Sequence, residues 1–125
     1  MKIPAELLYT SHDEWLKVDG DVVTIGVTDF AQDALGELVH IELPEEGDSV
    51  EAGAAMVEVE SVKAVAEVYS PVDGDVIEVN ENLDGEEELV NTDPYGDGWL
   101  VKIHTAATIS SDDYLTATAY KAKIS

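Results

Sequence analysis

The chain contains no cysteine and no arginine, and only six lysines stand against 28 aspartates and glutamates, giving a formal net charge of −22. Without a thiol there can be no disulfide, thiolate nucleophile or thiolate metal ligand, so any sulfur redox chemistry must arrive with a cofactor. Without a positive face the protein repels nucleic acid and anionic membrane surfaces, and neither is expected as a partner. No apolar run approaches the ~20 residues that span a bilayer. The first ten residues, MKIPAELLYT, lack the apolar core of a signal peptide. A soluble, cytoplasmic protein is the expectation. His12, His40 and His104 are scattered without metal-ligand spacing and read as solvated or packed side chains. No nucleophile–base pair or phosphate loop is visible, so the chain does not read as an enzyme in its own right.

What is present is a foldable chain. Apolar residues make up 45 % of 125 residues, too many for disorder, and the length fits one domain over residues 1–125 that buries roughly two-thirds of its unfolded surface. Crowded carboxylates repel one another, and salt screens that repulsion, with a Debye length of about 3 Å at 1 M. A salt-rich cytoplasm of the kind a halophilic archaeon maintains would explain the composition. An ordinary acidic surface that keeps a small protein in solution would explain it too.

The periodicity is that of short strands. Val23, Ile25 and Val27 alternate along one face, as do Val39, Ile41 and Leu43, then Val57 and Val59, then Ile77 and Val79. Turn signals separate them: Asp19-Gly20-Asp21, Pro44 to Asp48, Pro71 to Asp75, and Asp93-Pro94-Tyr95-Gly96. Two helices are expected. Thr28 or Asp29 caps a short one near 28–36 that stops at Gly36, and Ser110, with Asp112 and Asp113 in the first turn, opens a C-terminal one over about 110–120. Asn80 to Glu88 is acidic and reads as a loop without the ligand spacing of a calcium site. A weak repeat organises the middle: Pro44-x-x-Gly47-Asp48-x-Val50 returns 27 residues later as Pro71-x-x-Gly74-Asp75-x-Ile77. It suggests two similar strand sets folded into a flattened barrel or sandwich, a mainly β protein.

One charge stands out. Between Lys17 and Lys102 the chain carries 23 Asp and Glu and a single cation, Lys63. Val57 and Val59 put the buried face on odd numbers, whereas Ala64, Ala66 and Val68 put it on even numbers. Side chains repeat every two residues along a strand, so the change of phase marks a hairpin whose turn falls near Glu60-Ser61-Val62-Lys63. That turn lacks the Gly, Asn or Pro that tight turns favour. Lys63 is thus expected at an exposed tip, away from the barrel body, an amine open to acylation.

The segment ESVKA (60 to 64), followed by SPVDGDVIEVN (70 to 80), resembles the lipoylation site of the glycine cleavage H-protein family. YTSHDEWLKV, IGVTDFAQDALGELVHIELPEEGDSV and LVNTDPYGDGWLVKI also resemble segments of that family, in the same order, so that the likeness covers roughly residues 7 to 120. A biotinyl carrier would place Met on both sides of its lysine, where this chain has Val62 and Ala64. The resemblance implies a lipoyl/biotinyl-type hybrid barrel that carries (R)-lipoate in amide linkage on Lys63, with Glu60, Ser61, Val62 and Ala64 as flanking recognition residues. The arm so made is roughly 14 Å long from its bond lengths. It implies a carrier that accepts an aminomethyl group from pyridoxal-phosphate-dependent glycine decarboxylase and presents it to a tetrahydrofolate-dependent aminomethyltransferase. Dihydrolipoamide dehydrogenase would reoxidise the dithiol, and a lipoate-attaching enzyme would charge the lysine. Glu14, in the Glu-Trp pair that the family shares, is the residue expected to guard the loaded arm in a cleft, with Glu67 and His12 as further candidates. The family places His directly before that pair, where this chain has Asp13, with His12 one residue earlier; Glu67 stands where Asp is common. A lipoyl relay to other proteins, or an adaptor of the same fold without lipoate, are the alternative roles.

Overall fold

In the computed structural model, which describes residues 1–106 and 108–125, the alternating runs form short antiparallel strands. The order along the chain is β1 (Leu8–Tyr9), β2 (Glu14–Asp19), β3 (Val22–Val27), α1 (Asp29–Leu35), β4 (Leu38–Glu42), β5 (Ser49–Val50), β6 (Ala55–Ser61), β7 (Val65–Tyr69), β8 (Gly74–Val79), α2 (Leu89–Thr92), β9 (Val101–His104) and α3 (Ala117–Ile124). The mainly β sandwich expected from the sequence is present, with unequal layers. Strands β1-β2-β3-β9-β8-β5 form one sheet and β4-β6-β7 the other. Leu16, Val23, Ile25, Val101 and Ile103 of the larger sheet meet Leu38, Val57, Val59 and Val68 of the smaller one in the main core. A second cluster, Leu7, Tyr9, Trp15 and Tyr120, seals the edge where α3 packs.

Local chemistry accounts for α1. The Thr28 hydroxyl accepts from the Ala31 amide at 3.2 Å, and the Gly36 amide closes the last turn on the Gln32 carbonyl, the cap and stop that the sequence signals. The repeat also has a structural meaning. Its two copies pair with each other, Ser49 opposite Asp75 and the Val76 amide donating to the Asp48 carbonyl at 2.8 Å. An offset of 27 residues maps Asp48 onto Asp75 and Ser49 onto Val76, so each pair exchanges equivalent positions, as a local twofold requires.

Strict alternation fails at Val39 and at Ile77 for the same reason. The register of β4 against β6 runs from Leu38–Ser61 to His40–Glu60, and that of β8 against β9 from Val76–Ile103 to Glu78–Lys102. Val39 and Ile77 are therefore the extra residues of two bulges, and a bulge reverses the facing of everything on one side of it. Val39 is 46 % and Ile77 43 % exposed, while Leu38 and Val76 fill the core positions expected for them. Ile41 and Leu43, beyond the first bulge, do pack against the core.

The C-terminal helix also differs from expectation. Ser110 caps only one 3₁₀ turn, Ser111–Asp113. Leu115 then exchanges two backbone hydrogen bonds with Tyr9, at 2.9 and 2.8 Å, which holds the chain extended. The helix starts afresh at Ala117, capped by Thr116, and runs to Ile124. The 80–88 stretch is a loop that includes the 3₁₀ turn Glu81–Leu83, anchored by the buried Leu83. Among the described residues no helix is long and apolar enough to cross a membrane.

The bulge in β8 is open to test. Val76→Ala is expected to cost about 2 kcal/mol of unfolding free energy, whereas Ile77→Ala stays within about 0.5 kcal/mol. Urea unfolding of the two variants side by side checks which residue faces the core.

Candidate functional site

The tip of the β6–β7 hairpin is built by a serine. Ser61 Oγ accepts from the amides of Lys63 and Ala64 at 3.2 and 3.0 Å, and the Ser61 amide donates to the Ala64 carbonyl at 2.8 Å. A hydroxyl that folds back on the chain two and three residues later does the work usually left to Asn or Gly. The turn is Ser61 to Ala64, one residue later than the alternation implied. Val62, Lys63 and Ala64 are exposed, as is Glu60, whereas Ser61 is buried beneath them.

The tip is not free of the body. The Val62 amide donates to the Glu37 carbonyl at 3.1 Å. The stem of Lys63 lies over Gly36, where a β-carbon would stand 3.2 Å from the lysine Cε. Lys63 thus leans on the corner between α1 and β4, a correction to the expectation of a tip held away from the barrel. Among the described residues its amine has no ion-pair partner.

The second feature is a cleft of about 370 Å³ whose lining includes His12, Glu14, Tyr69, Asp112, Asp113 and Tyr114. Glu14 opens β2 and is only 2 % exposed. Both carboxylate oxygens are held: Oε1 accepts from Thr10 Oγ1 at 2.8 Å and Oε2 from the Tyr69 amide at 2.7 Å. Burial pushes the Glu14 carboxyl above the usual range, with Asp13 adding to the rise and the Tyr69 and Thr10 hydrogen bonds and His12 opposing it. The backbone that aims it is tight. Thr10 donates its amide to the Glu14 carbonyl at 2.9 Å, and Asp13 adopts a left-handed φ of 66°. Asp13, standing where the family has His, accepts from Tyr120 Oη at 2.9 Å, and that hydroxyl lies 2.7 Å from Thr28 Oγ1. Tyr120 also stacks on Tyr9 with centroids 4.9 Å apart, so α3 is tied to the floor of the cleft. Trp15 is fixed by its Nε1–H, which donates to the Pro94 carbonyl at 3.0 Å.

The candidate cleft residues separate here. Glu14 and His12 share the cleft, with the exposed His12 ring 5.0 Å from the Tyr69 ring. Glu67 does not join them. Its side chain is exposed on β7 opposite Glu58, which is itself opposite Glu42, and the three carboxylates form a row across the small sheet. Sequence reasoning missed Tyr69, Asp112, Asp113 and Tyr114 as cleft walls. Tyr69 carries no local mark of that role, and the other three were assigned to a helix. Their place depends on the Tyr9–Leu115 pairing, which joins residues remote in sequence.

A family model described as Glycine cleavage H-protein matches residues 7–125. The glycine cleavage system H protein of Alcanivorax borkumensis is 51 % identical over 123 residues, covering 98 % of this chain and 96 % of its own. That of Bacteroides thetaiotaomicron is 42 % identical over 124 residues, covering 99 % and 98 %. A crystal structure of a glycine cleavage system H protein from Mycobacterium marinum matches with a TM-score of 0.88 at 37 % identity, covering 97 % of this chain and 98 % of that one. These relatives are bacterial and lend no support to the archaeal source that the composition suggested.

The raised Glu14 carboxyl has a consequence for stability. A group that holds its proton more tightly when folded contributes fully below its ordinary value of 4.5, and that contribution is lost as pH rises past 4.5 toward the folded value. Glu14→Gln keeps an acceptor and the size without the charge. It is expected to melt above the wild type at pH 7 and close to it at pH 4, as read by scanning calorimetry. The same offset at both pH values would show that burial does not raise this carboxyl.

Proposed function

The chain belongs to the glycine cleavage H-protein family, and from that premise we propose that it is the lipoyl-bearing carrier of the glycine cleavage system, working in the cytoplasm and not itself an enzyme. The observation that carries the reading is Lys63, the single cation between Lys17 and Lys102, exposed on a turn ordered by Ser61. (R)-lipoate would be held there by an amide bond, formed when the Nζ amine displaces the leaving group of an activated carboxyl and loses a proton. Lipoate supplies the disulfide and dithiol sulfur that this cysteine-free chain lacks.

The remaining roles fall to the protein. Glu60, Val62 and Ala64 flank the lysine as the surface a lipoate-attaching enzyme reads. Glu14, with His12 and Tyr69 beside it, makes a recess suited to a cationic amine. A carboxylate acceptor strengthens such a hydrogen bond to about 1.5–3 kcal/mol. Lys63 and Tyr69 are six residues apart, at most about 20 Å along an extended chain, comparable to an arm of roughly 14 Å together with its cargo. Glu67, on the outer face, suits contact with a partner better than guarding the cleft. The partners that follow are glycine decarboxylase with pyridoxal phosphate, aminomethyltransferase with tetrahydrofolate, and dihydrolipoamide dehydrogenase. Acylation removes the charge of Lys63, leaving an acidic surface that steers basic partner faces.

Intact mass and peptide mapping of protein from its native host are expected to show a lipoyl increment on Lys63. Lys63→Ala should leave the circular-dichroism spectrum unchanged and stability within about 0.5 kcal/mol, while abolishing glycine cleavage in the reconstituted system. An unmodified Lys63 in cells growing on glycine would sink the assignment.

The acidic composition supports adaptation to high salt. Like charges directly opposite one another destabilise a sheet, and the Glu42–Glu58–Glu67 row places three carboxylates on adjacent strands. Lowering potassium chloride from molar to millimolar should lower the melting temperature as screening fades. A flat profile would overturn salt adaptation and leave the carrier role intact.

A further inference from the structure

The segment LVNTDPYGDGW takes no part in the chemistry above, yet it touches both features of the site. Pro94 receives the Trp15 indole beside Glu14. At the other end, Asn91 spans the corner on which Lys63 leans. Asn91 Oδ1 accepts from the Leu38 amide at 3.0 Å, and its Nδ2 donates to the Gly36 carbonyl at 2.8 Å and to Gln32 Oε1 at 3.0 Å. The two backbone groups it grips flank Glu37, whose carbonyl receives the Val62 amide. The amides of Ser61, Lys63 and Ala64 are all satisfied within the hairpin. Val62 makes its bond outside, one step beyond the Leu38–Ser61 pair that ends the β4–β6 ladder, and so carries the tie to the body into the tip. The corner itself needs glycine: Gly36 has φ 85° and ψ −162°, a region essentially closed to side chains.

We propose that Asn91 is a positioning residue for the attachment lysine: it holds the Gly36–Leu38 corner so that the Glu37 carbonyl anchors Val62 and the corner seats the Lys63 stem, presenting the amine in one orientation to the enzyme that acylates it. The proposal rests on the carrier reading for its consequence, and on geometry alone for the tether. If the tether is lost, the tip samples several orientations and only a fraction is competent to bind. Apparent affinity falls by that fraction while turnover of the bound complex is unchanged. One or two hydrogen bonds shift the equilibrium between the competent and the released orientations by roughly five- to thirtyfold.

The test uses Asn91→Asp, which keeps the acceptor for Leu38 and loses both donations, and Asn91→Ala, which loses all three without adding charge. Amide exchange by NMR is expected to quicken about fivefold or more at Val62 in both variants, with the core amides of β3 and β9 unchanged. Lipoylation of the purified full chain by a lipoate–protein ligase with lipoate and ATP should show KM for the protein raised five- to tenfold and kcat retained. Unchanged exchange at Val62 overturns the tether. Loss of protection throughout the core would make Asn91 merely structural, and an unaltered KM with Val62 freed would remove its role in presentation. Failure of the wild type to accept lipoate at Lys63 would instead bring down the carrier reading, with the exchange result still deciding the tether.

Discussion

The buried carboxylate of Glu14 is the interaction on which the site depends. Glu14 belongs to β2 of the larger sheet, and its Oε2 receives the amide of Tyr69, the last residue of β7 in the smaller one. A carboxyl group at 2 % exposure is costly to bury unless its oxygens are bonded, and Thr10 and Tyr69 meet that demand. The same bond that makes burial tolerable crosses between the two sheets. It also fixes the cleft relative to the strand that leads back to Lys63. Removing the acceptor would leave the Tyr69 amide unsatisfied, so site and scaffold share one interaction here.

Around that bond the fold uses segments distant in sequence as struts. Tyr120 reaches Asp13 and Thr28 and so locks α3 against the loop that aims Glu14. The 91–99 segment holds Trp15 through Pro94 and the α1–β4 corner through Asn91, while Tyr95 Oη accepts from the Asp29 amide and donates to the Lys2 carbonyl. Two ends of a hairpin are thereby referenced to one loop. Under the proposed carrier role, an arm that leaves Lys63 and returns to the cleft would require a fixed separation between the two, which supports outside the hairpin would provide.

The surface carries the opposite character. Carboxylates dominate, and the outer face of the small sheet aligns Glu42, Glu58 and Glu67 across three strands. Such a face loses stability when unscreened. It also offers a broad negative field to any basic partner that approaches Lys63. On the proposed reading, stability and partner recognition would respond to salt in opposite senses, since screening would relieve the first and weaken the second.

Much of this was legible in the sequence where the physics is local. Thr28 and Gly36 mark the two ends of α1 because capping involves residues three or four apart. The change of apolar phase between Val59 and Ala64 betrays the hairpin because side chains alternate with a period of two, and charge depletion around Lys63 isolates the amine at its tip. Where alternation alone was trusted, Val39 and Ile77 were turned inward. A bulge is defined by the partner strand, and nothing within either segment announces it. The cleft is non-local in the same way. Glu14 could be chosen from a motif, but its pairing with Tyr69, the walls formed by Asp112 to Tyr114, and the exclusion of Glu67 follow from contacts between residues remote in sequence, such as Tyr9 and Leu115. The sequence by itself determined most strands and turns, both ends of α1 and the exposed amine at the hairpin tip, because each rests on neighbours along the chain. Only the tertiary structure decided which carboxylate is buried, which is solvated and what anchors the tip, because burial and anchoring are properties of what the rest of the chain brings alongside.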